Sequence, residues 1–204
     1  MQSMQIALWV VVMLVVLALL FDFMNGFHDA ANSIATVVST GVLKPQQAVI
    51  FAAFFNVVAI FVFHLKVAAT VGKGIVDPGV VDQYVVFGAL VGAIAWNIIT
   101  WWYGIPSSSS HALIGGLSGA GIAYSGTEVL NWSKILPTLE FIILAPMIGQ
   151  LLGALLMFLL YWAFRRARPK KVDRLFRVGQ LFSAAAYSIG HGGNDAQKTV
   201  GVMW

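Results

Sequence analysis

A short polar segment occurs twice in this chain, each time inside strongly apolar sequence. The first copy runs from Gly26 to Ser33 and the second from Gly192 to Thr199. Matching residues lie at one offset of 166 positions: Gly26 and Gly192, Asp29 and Asp195, Ala30 and Ala196, Ser33 and Thr199. A carboxylate beside glycine in membrane-like sequence is costly unless it meets an ion, a partner or water. Its repetition indicates a duplicated functional element, and transporters built from repeats place such elements around a midplane substrate site.

The composition shows what kind of sequence surrounds the two copies. Of the 204 residues, 59% are hydrophobic and only 10% are charged, and the mean hydropathy is +0.85. An ordinary soluble domain has a charged fraction of about 25%. The chain is therefore predicted to be an integral membrane protein with the lipid bilayer as a partner. It has no cysteine, which excludes a disulfide framework and a thiolate metal site.

The formal net charge of +4 comes from a local cluster. Seven of the twelve basic residues lie between Arg165 and Arg177. Under the positive-inside rule this cluster indicates a cytoplasmic loop, which is favoured over a nucleic-acid surface. No nucleic-acid partner is predicted.

The apolar runs predict an all-α polytopic membrane protein. We predict membrane spans at about 5–24, 46–65, 83–103 and 138–164, a shorter or broken helix at 28–40, and a last helix from about 178. Gly104, Pro106 and four serines interrupt the apolar region near 104–124, which favours a re-entrant hairpin. The predicted units are a first transmembrane repeat at 1–164, a basic cytoplasmic loop at 165–177 and the start of a second repeat at 178–204.

The two ends of the sequence carry different signals. The apolar run from Ile6 to Leu20 lacks a basic n-region and a small-residue cleavage site, which favours a first membrane helix over a signal peptide. The chain ends at Trp204, a few residues into what we expect to be another membrane helix. Because a helix needs roughly 20 residues to cross the bilayer, we expect the sequence to be truncated.

Asp29 is the first candidate for chemistry. Asn32 and Ser33 follow it by three and four residues and share its helical face. The preceding glycine permits a helix break, which would present N–H groups to an anion while the carboxylate serves a cation or a proton. The structural alternative is an N-cap, with Ser33 bonding back to the chain. The second copy, at Asp195, favours the functional interpretation.

A serine cluster after Pro106 is the second candidate. Its members are Ser107, Ser108, Ser109 and Ser110. Hydroxyl and N–H groups at the start of a helix suit a tetrahedral oxyanion, because each donates without adding a charge that must be desolvated. The alternative interpretation is a polar loop at the membrane surface.

Several further ionisable residues adjoin these motifs. Lys198 would either neutralise substrate charge or pair with a neighbouring aspartate. Three histidines are interpreted either as proton carriers or as structural hydrogen-bonding residues, namely His28, His111 and His191. Asp22, two helical turns before Asp29, either pairs with a lysine or lines the site.

Three motifs together resemble the inorganic phosphate transporter (Pit) family, particularly its bacterial branch. They are Asn25-Gly26-Phe27-His28-Asp29-Ala30-Ala31-Asn32, Pro106-Ser107-Ser108-Ser109-Ser110-His111-Ala112 and Gly190-His191-Gly192-Gly193-Asn194-Asp195-Ala196-Gln197-Lys198. The resemblance runs through essentially the whole chain. It implies a secondary transporter with two inverted repeats, each giving an aspartate motif on a broken helix and a serine/threonine-rich re-entrant hairpin. Here one full repeat and the start of the second are expected.

The resemblance also implies roles for individual residues. Asp29 and Asp195 would bind the coupling cation or relay protons, and His28 joins them as a candidate although some relatives have asparagine there. Phosphate and the ion would be bound by Asn32, Ser107, Ser108, Ser109, Ser110, Asn194, Gln197, Lys198 and Thr199. We therefore predict a symporter of inorganic phosphate with H+ or Na+ in a bacterial inner membrane, without a cofactor or enzymatic activity.

Several alternatives stay open. Phosphate would move either free or as a divalent metal complex, and a homo-oligomer is one possible assembly. An intramembrane aspartyl protease would use Asp29 and Asp195 as a dyad that shares a proton, but it leaves the serine cluster unexplained. A noncatalytic membrane scaffold would make the motifs incidental.

Overall fold

The computed structural model describes residues 7–62 and 74–203, the stretch 196–203 by its backbone alone. The helices are α1 (Leu8–Ser39), α2 (Pro45–Val62), α3 (Gln83–Tyr103), α4 (Ser109–Ser125), a 3-10 turn (Thr127–Val129), α5 (Trp132–Phe164) and α6 (Pro169–Met203). Within these residues, extended pairing is limited to one bridge between Val76 and Leu130. The predicted all-α fold is confirmed.

Four of the described helices are long and apolar enough to cross a membrane: α1, α2, α3 and α5. The chain is a multi-pass membrane protein, as predicted. The third span has its predicted bounds, whereas α5 begins earlier, at Trp132. The predicted end of the second span, near residue 65, lies outside the described residues.

The helices α1 and α6, which carry the two motif copies, are continuous. The helix breaks predicted at the glycines of both copies are therefore wrong. Positive φ angles in the described chain occur elsewhere, at Gly41, Gly104 and Gly126. A glycine inside a helix costs about 1 kcal/mol relative to alanine. Packing along a long membrane helix can offset that cost, so glycine alone does not force a break.

The basic segment predicted as a cytoplasmic loop at 165–177 is mostly helical, and its cytoplasmic placement stays a prediction. The irregular connection covers only residues 165–168, and α6 begins at Pro169, before the predicted start near 178. Proline is favoured at the first helical position because its fixed φ suits a helix and its missing N–H is not needed there. Phe164 and Phe176 then join the two helices, with ring centroids 5.3 Å apart.

The region of the predicted re-entrant hairpin consists of a turn followed by α4. Asp82 begins α3 by accepting hydrogen bonds from the N–H groups of Tyr84 and Val85, both at 2.9 Å. Gly104, with a φ of 64°, ends it. α4 packs back along α3, so closely that a side chain at Gly116 would meet the carbonyl oxygen of Ala89. Re-entry into the membrane stays a prediction.

Helix α1 lies at the centre of the packing and contacts α2, α3 and α6. Toward its beginning, Phe21 is buried with Leu90 and Leu113. Toward its end, a second buried cluster joins α1, α2 and α6 through Val37, Ala48 and Ala184. Because α1 and α6 are both fixed in this way, the two motif copies are brought to neighbouring helices.

Candidate functional site

The two duplicated aspartates meet where α1 packs against α6. One ligand atom each from Asp29, His191 and Asp195 lies within 4.8 Å of the others. His191 Nε2 lies 3.0 Å from Asp195 Oδ2, one helical turn along α6. All three side chains are partly buried. We call these three residues the α1–α6 cluster.

The position of the cluster depends on a close approach between α6 and α2. A Cβ atom at Gly192 would lie 2.7 Å from the Cα and 2.8 Å from the carbonyl oxygen of Asn56. Only glycine therefore allows this spacing. On the other side, the ring of Tyr187 stacks on His191 at 6.0 Å and 15°. The imidazole of His191 therefore lies next to the ring of Tyr187, about one helical turn earlier, and the carboxylate of Asp195, about one turn later.

A cavity of about 370 Å³ opens beside the cluster. Its wall combines apolar side chains of α2 with polar groups of α1, α2 and α6, among them Asp22, Asn25, Ser33, Asn56, His191 and Asp195. Buried atoms without a hydrogen-bond partner in the described structure include Asn25 Oδ1, Ser33 Oγ and Asn56 Oδ1. A buried polar atom left unpaired costs about 1–3 kcal/mol. Each of these atoms has almost no accessible surface, so the cavity does not reach them in this arrangement.

The other predicted residues of the two motifs have different surroundings. Asn32 is exposed and donates a hydrogen bond from Nδ2 to Asp29 Oδ1 at 3.3 Å. Asn194 is also exposed. The side chains of Gln197, Lys198 and Thr199 lie outside the described residues, so their predicted roles stay predictions.

His28 lies outside the α1–α6 cluster, and its role as a coupling-ion or proton-carrying residue stays a prediction. Its Nε2 lies 3.4 Å from Thr100 Oγ1 on α3. Adjacent residues of an α-helix point about 100° apart, so a histidine next to Asp29 in sequence faces another neighbour. Its neighbour Phe27 likewise faces α3 and contacts Trp101, with centroids 5.4 Å apart.

The four serines surround the start of α4 and do not line the cavity. Ser107 accepts a hydrogen bond from Trp96 Nε1 at 3.1 Å. Ser109 is buried, and Ser108 is the N-cap residue without a side-chain capping bond. A helix therefore starts at these serines, while oxyanion binding there stays a prediction, and the described structure does not bring the serines together with the α1–α6 cluster.

His191 and Asn56 belong to this site, although neither is among the residues predicted to bind phosphate or the coupling ion. His191 is predicted only as a proton carrier or a structural residue, although its spacing of four residues from Asp195 indicates a shared helical face. Asn56 is not among the predicted site residues. The sequence feature that could have indicated Asn56 is its position as a single amide in the apolar run Ala52-Ala53-Phe54-Phe55-Asn56-Val57. Polar groups inside membrane helices need partners.

The donors suit one kind of chemistry. Two carboxylates and an imidazole within 4.8 Å form a set that can hold a cation or exchange a proton. The fold and the cluster together define a helical membrane protein with a paired carboxylate site. The phosphate transporter family matches residues 25–171, and the chain belongs to this family.

Individual relatives agree with this assignment. A "probable low-affinity inorganic phosphate transporter" of Rhizobium meliloti (strain 1021) is 58% identical over 93% of this chain. A protein of the same name from Streptomyces halstedii is 47% identical over 91% of this chain and is covered to 87%. This chain spans only 57% of the length of the Rhizobium relative.

A solved structure has the same fold. It is described as "The sodium-dependent phosphate transporter" and superposes with a TM-score of 0.81 over 96% of this chain and 66% of its own. Its sequence identity to this chain is 21%, so the likeness concerns the fold.

Proposed function

We propose that the protein carries inorganic phosphate across the membrane together with a cation that binds at the α1–α6 cluster. The observation that carries the proposal is the convergence of Asp29 and Asp195, which are 166 residues apart in the chain, on one site with His191. Family membership and the names of the relatives support phosphate as the substrate.

Electrostatics explains why such a site would couple the two ions. A phosphate anion is repelled by two nearby carboxylates, and inside a membrane protein the repulsion is screened less than in water. A bound cation or proton removes part of that negative charge. Phosphate then gains a favourable partner, so the cation is expected to bind before phosphate and to travel with it.

Three kinds of cation would suit the side chains of the α1–α6 cluster. The solved neighbour is described as sodium-dependent, which supports Na+. An imidazole beside carboxylates also suits a proton, and the same donors would hold the divalent ion of a metal–phosphate complex. Uptake into proteoliposomes under a Na+ gradient, a proton gradient, or with Mg²⁺ supplied and removed separates these three forms of the proposal.

The test replaces each carboxylate without changing its shape. Asp29→Asn and Asp195→Asn, in the protein as its gene encodes it, are expected to reduce concentrative uptake of radioactive phosphate to background while membrane insertion stays normal. Asp173→Asn is the matched control, because Asp173 is exposed and pairs with Arg177 at 3.0 Å, away from the cluster. Wild-type uptake in both cluster variants would exclude the proposed coupling role.

The aspartyl protease alternative also requires two close carboxylates, so geometry alone does not separate it from transport. The proposal assigns the pair to ion binding because the family and its named relatives are transporters. Incubation of the purified protein with membrane peptides is the direct comparison. Cleavage that disappears in Asp29→Ala would support the protease in place of the transporter.

A further inference from the structure

A strongly basic surface lies where α5 ends and α6 begins, far from the α1–α6 cluster. Between residues 165 and 177 the chain has seven positive charges and one negative charge, which gives a net charge of +6. All seven basic side chains are exposed. We call these seven residues the basic patch: Arg165, Arg166, Arg168, Lys170, Lys171, Arg174 and Arg177.

The described part of the chain supplies little negative charge to the basic patch. Arg177 Nε pairs with Asp173 Oδ2 at 3.0 Å, and this is the one ion pair of the patch within the described residues. Arg165 has its Cζ atom 5.3 Å from the ring centroid of Trp162. Positive charges held this close repel one another, so an anion from outside the chain would lower the electrostatic energy of the patch.

The basic patch lies beside the end of a membrane span. α5 is long and apolar enough to cross a membrane and ends at Phe164, directly before the patch. Trp162, in its last turn, is exposed, and tryptophan prefers the headgroup layer of a bilayer. The ring contact between Phe164 and Phe176 keeps the second turn of α6 next to this end. The basic turns of α6 therefore stay at the level of the headgroups.

The start of α6 has charged and apolar side chains on adjacent faces. The charged face consists of residues spaced by four and three positions, namely Lys170, Arg174 and Arg177. The apolar face, turned by about 100°, consists of residues spaced by three and four positions, each more than half exposed, namely Leu175, Val178 and Phe182. A helix with a basic face and an exposed apolar face suits the membrane–water interface.

The apolar face indicates which anion fits the basic patch. A phosphate group reaches the patch either as free inorganic phosphate or as the headgroup of a phospholipid. Free phosphate would leave Leu175, Val178 and Phe182 in contact with water, whereas the acyl chains of a lipid would cover them. Basic side chains next to a membrane span are also attracted to anionic lipids. Both arguments favour the lipid.

We propose that the basic patch binds the headgroups of anionic phospholipids such as phosphatidylglycerol. Its arginines offer paired N–H donors that match two phosphate oxygens, and its lysines add charge. Leu175, Val178 and Phe182 then lie against the acyl chains. The binding does not rest on the function proposed above. An effect of the lipid on phosphate uptake would rest on it, because α6 also carries Asp195.

Native mass spectrometry tests the proposal on the purified protein as its gene encodes it. The detergent micelles contain equal amounts of phosphatidylglycerol and phosphatidylcholine with the same acyl chains, so that only the headgroup differs. The ratio of bound phosphatidylglycerol to bound phosphatidylcholine is expected to fall by about fivefold or more in Arg174→Glu. Lys134→Glu is the matched control, because it makes the same change of charge at an exposed lysine in the first turn of α5, at the opposite end of that helix. It should leave the ratio unchanged.

A second variant covers the case in which the glutamate disturbs folding. Arg174→Lys keeps the charge, so its lipid ratio should stay within about twofold of the wild-type ratio. An even ratio for the wild type would overturn the proposal. So would an unchanged ratio in Arg174→Glu, an equal fall in Lys134→Glu, or a fall in Arg174→Lys as large as that in Arg174→Glu.

Added anions separate the lipid headgroup from free phosphate. Inorganic phosphate and sulfate at equal ionic strength should displace phosphatidylglycerol to the same small extent, because both act by screening. A larger displacement by phosphate would assign the basic patch to free phosphate and overturn lipid binding. If the lipid preference depends on Arg174 while phosphate uptake is absent, the transport function is wrong and the lipid site stands.

Discussion

The two copies of the motif share one frame but exchange a histidine and an asparagine. In the first copy Asn25 lies four residues before the aspartate and His28 lies one residue before it. In the second copy the order is reversed, with His191 at the first position and Asn194 at the second. The exchange has a geometric consequence, because position −4 shares the face of the aspartate and position −1 is turned about 100° away.

The two copies therefore keep the same positions around the aspartate but place different functional groups there. His191 reaches Asp195 and belongs to the α1–α6 cluster, whereas His28 contacts Thr100 on another helix. Asn25, the positional equivalent of His191, is buried, and its amide oxygen has no hydrogen-bond partner in the described structure. One copy thus provides an imidazole to the cluster, and the other has a buried neutral amide at the same position.

The glycines of the two copies differ in the same manner. A Cβ atom at Gly26 would meet no packed neighbour within 4 Å, whereas one at Gly192 would lie within 2.7 Å of the Asn56 backbone. The repeated glycine therefore controls helix spacing in the second copy only.

The largest effect is expected from Gly192→Ala. Overpacking at a tight contact costs about 1–3 kcal/mol, and here relief requires α6 to move away from α2 and carry Asp195 with it. Phosphate uptake should fall strongly. The matched change Gly26→Ala should leave uptake nearly intact and slightly raise the melting temperature, because alanine favours a helix. Equal losses in both variants would show that the glycines act alike.

A smaller effect is expected from exchanging the histidines for asparagine. His191→Asn removes a hydrogen bond to a carboxylate, worth about 1.5–3 kcal/mol, and uptake should fall by roughly tenfold or more. His28→Asn should change uptake by less than about twofold, since it lies outside the cluster. Initial rates of uptake at saturating phosphate measure both. A larger effect at His28 would reverse the assigned division between the two copies.

The smallest effect concerns the contact that holds His28 toward α3. Thr100→Val preserves the shape but removes a hydroxyl that also bonds to the carbonyl oxygen of Trp96 at 2.9 Å. A loss of about 1 kcal/mol in stability is expected, seen as a small drop in the melting temperature in detergent. Thr138→Val, at an exposed hydroxyl that bonds within its own helix, is the comparison and should be close to neutral.

Local patterns are sufficient to predict much of this molecule. Apolar runs and hydropathy predict the all-α membrane fold, and the bounds of α3 are predictable because Asp82 and Gly104 are strong local signals at its two ends. The duplicated motif predicts that Asp29 and Asp195 serve one site. That two residues so far apart in sequence lie on neighbouring helices also requires the packing around α1.

The remaining features depend on contacts that single motifs do not encode. Glycines next to Asp29 and Asp195 suggest helix breaks, but one of them instead permits a close approach to Asn56. The basic residues after Arg165 suggest a loop, although Pro169 begins a helix that includes most of them. In both cases the same residues are compatible with a helix and with an irregular segment. The local sequence favours the irregular segment, whereas packing against a neighbouring helix favours the helix.

The length of α5 between its two end tryptophans matches the thickness of a bilayer. None of its residues is buried in the described structure, and its start is attached to the rest of the chain through Ile135, which packs against the cluster around Val76. Trp132 and Trp162 lie at its two ends, about 45 Å apart for 30 residues of helix. That length equals a bilayer with its headgroup layers, where tryptophan prefers to lie. In a thinner membrane α5 would tilt to keep its apolar length inside the bilayer. Because the ring of Phe164 contacts Phe176, that tilt would also move α6.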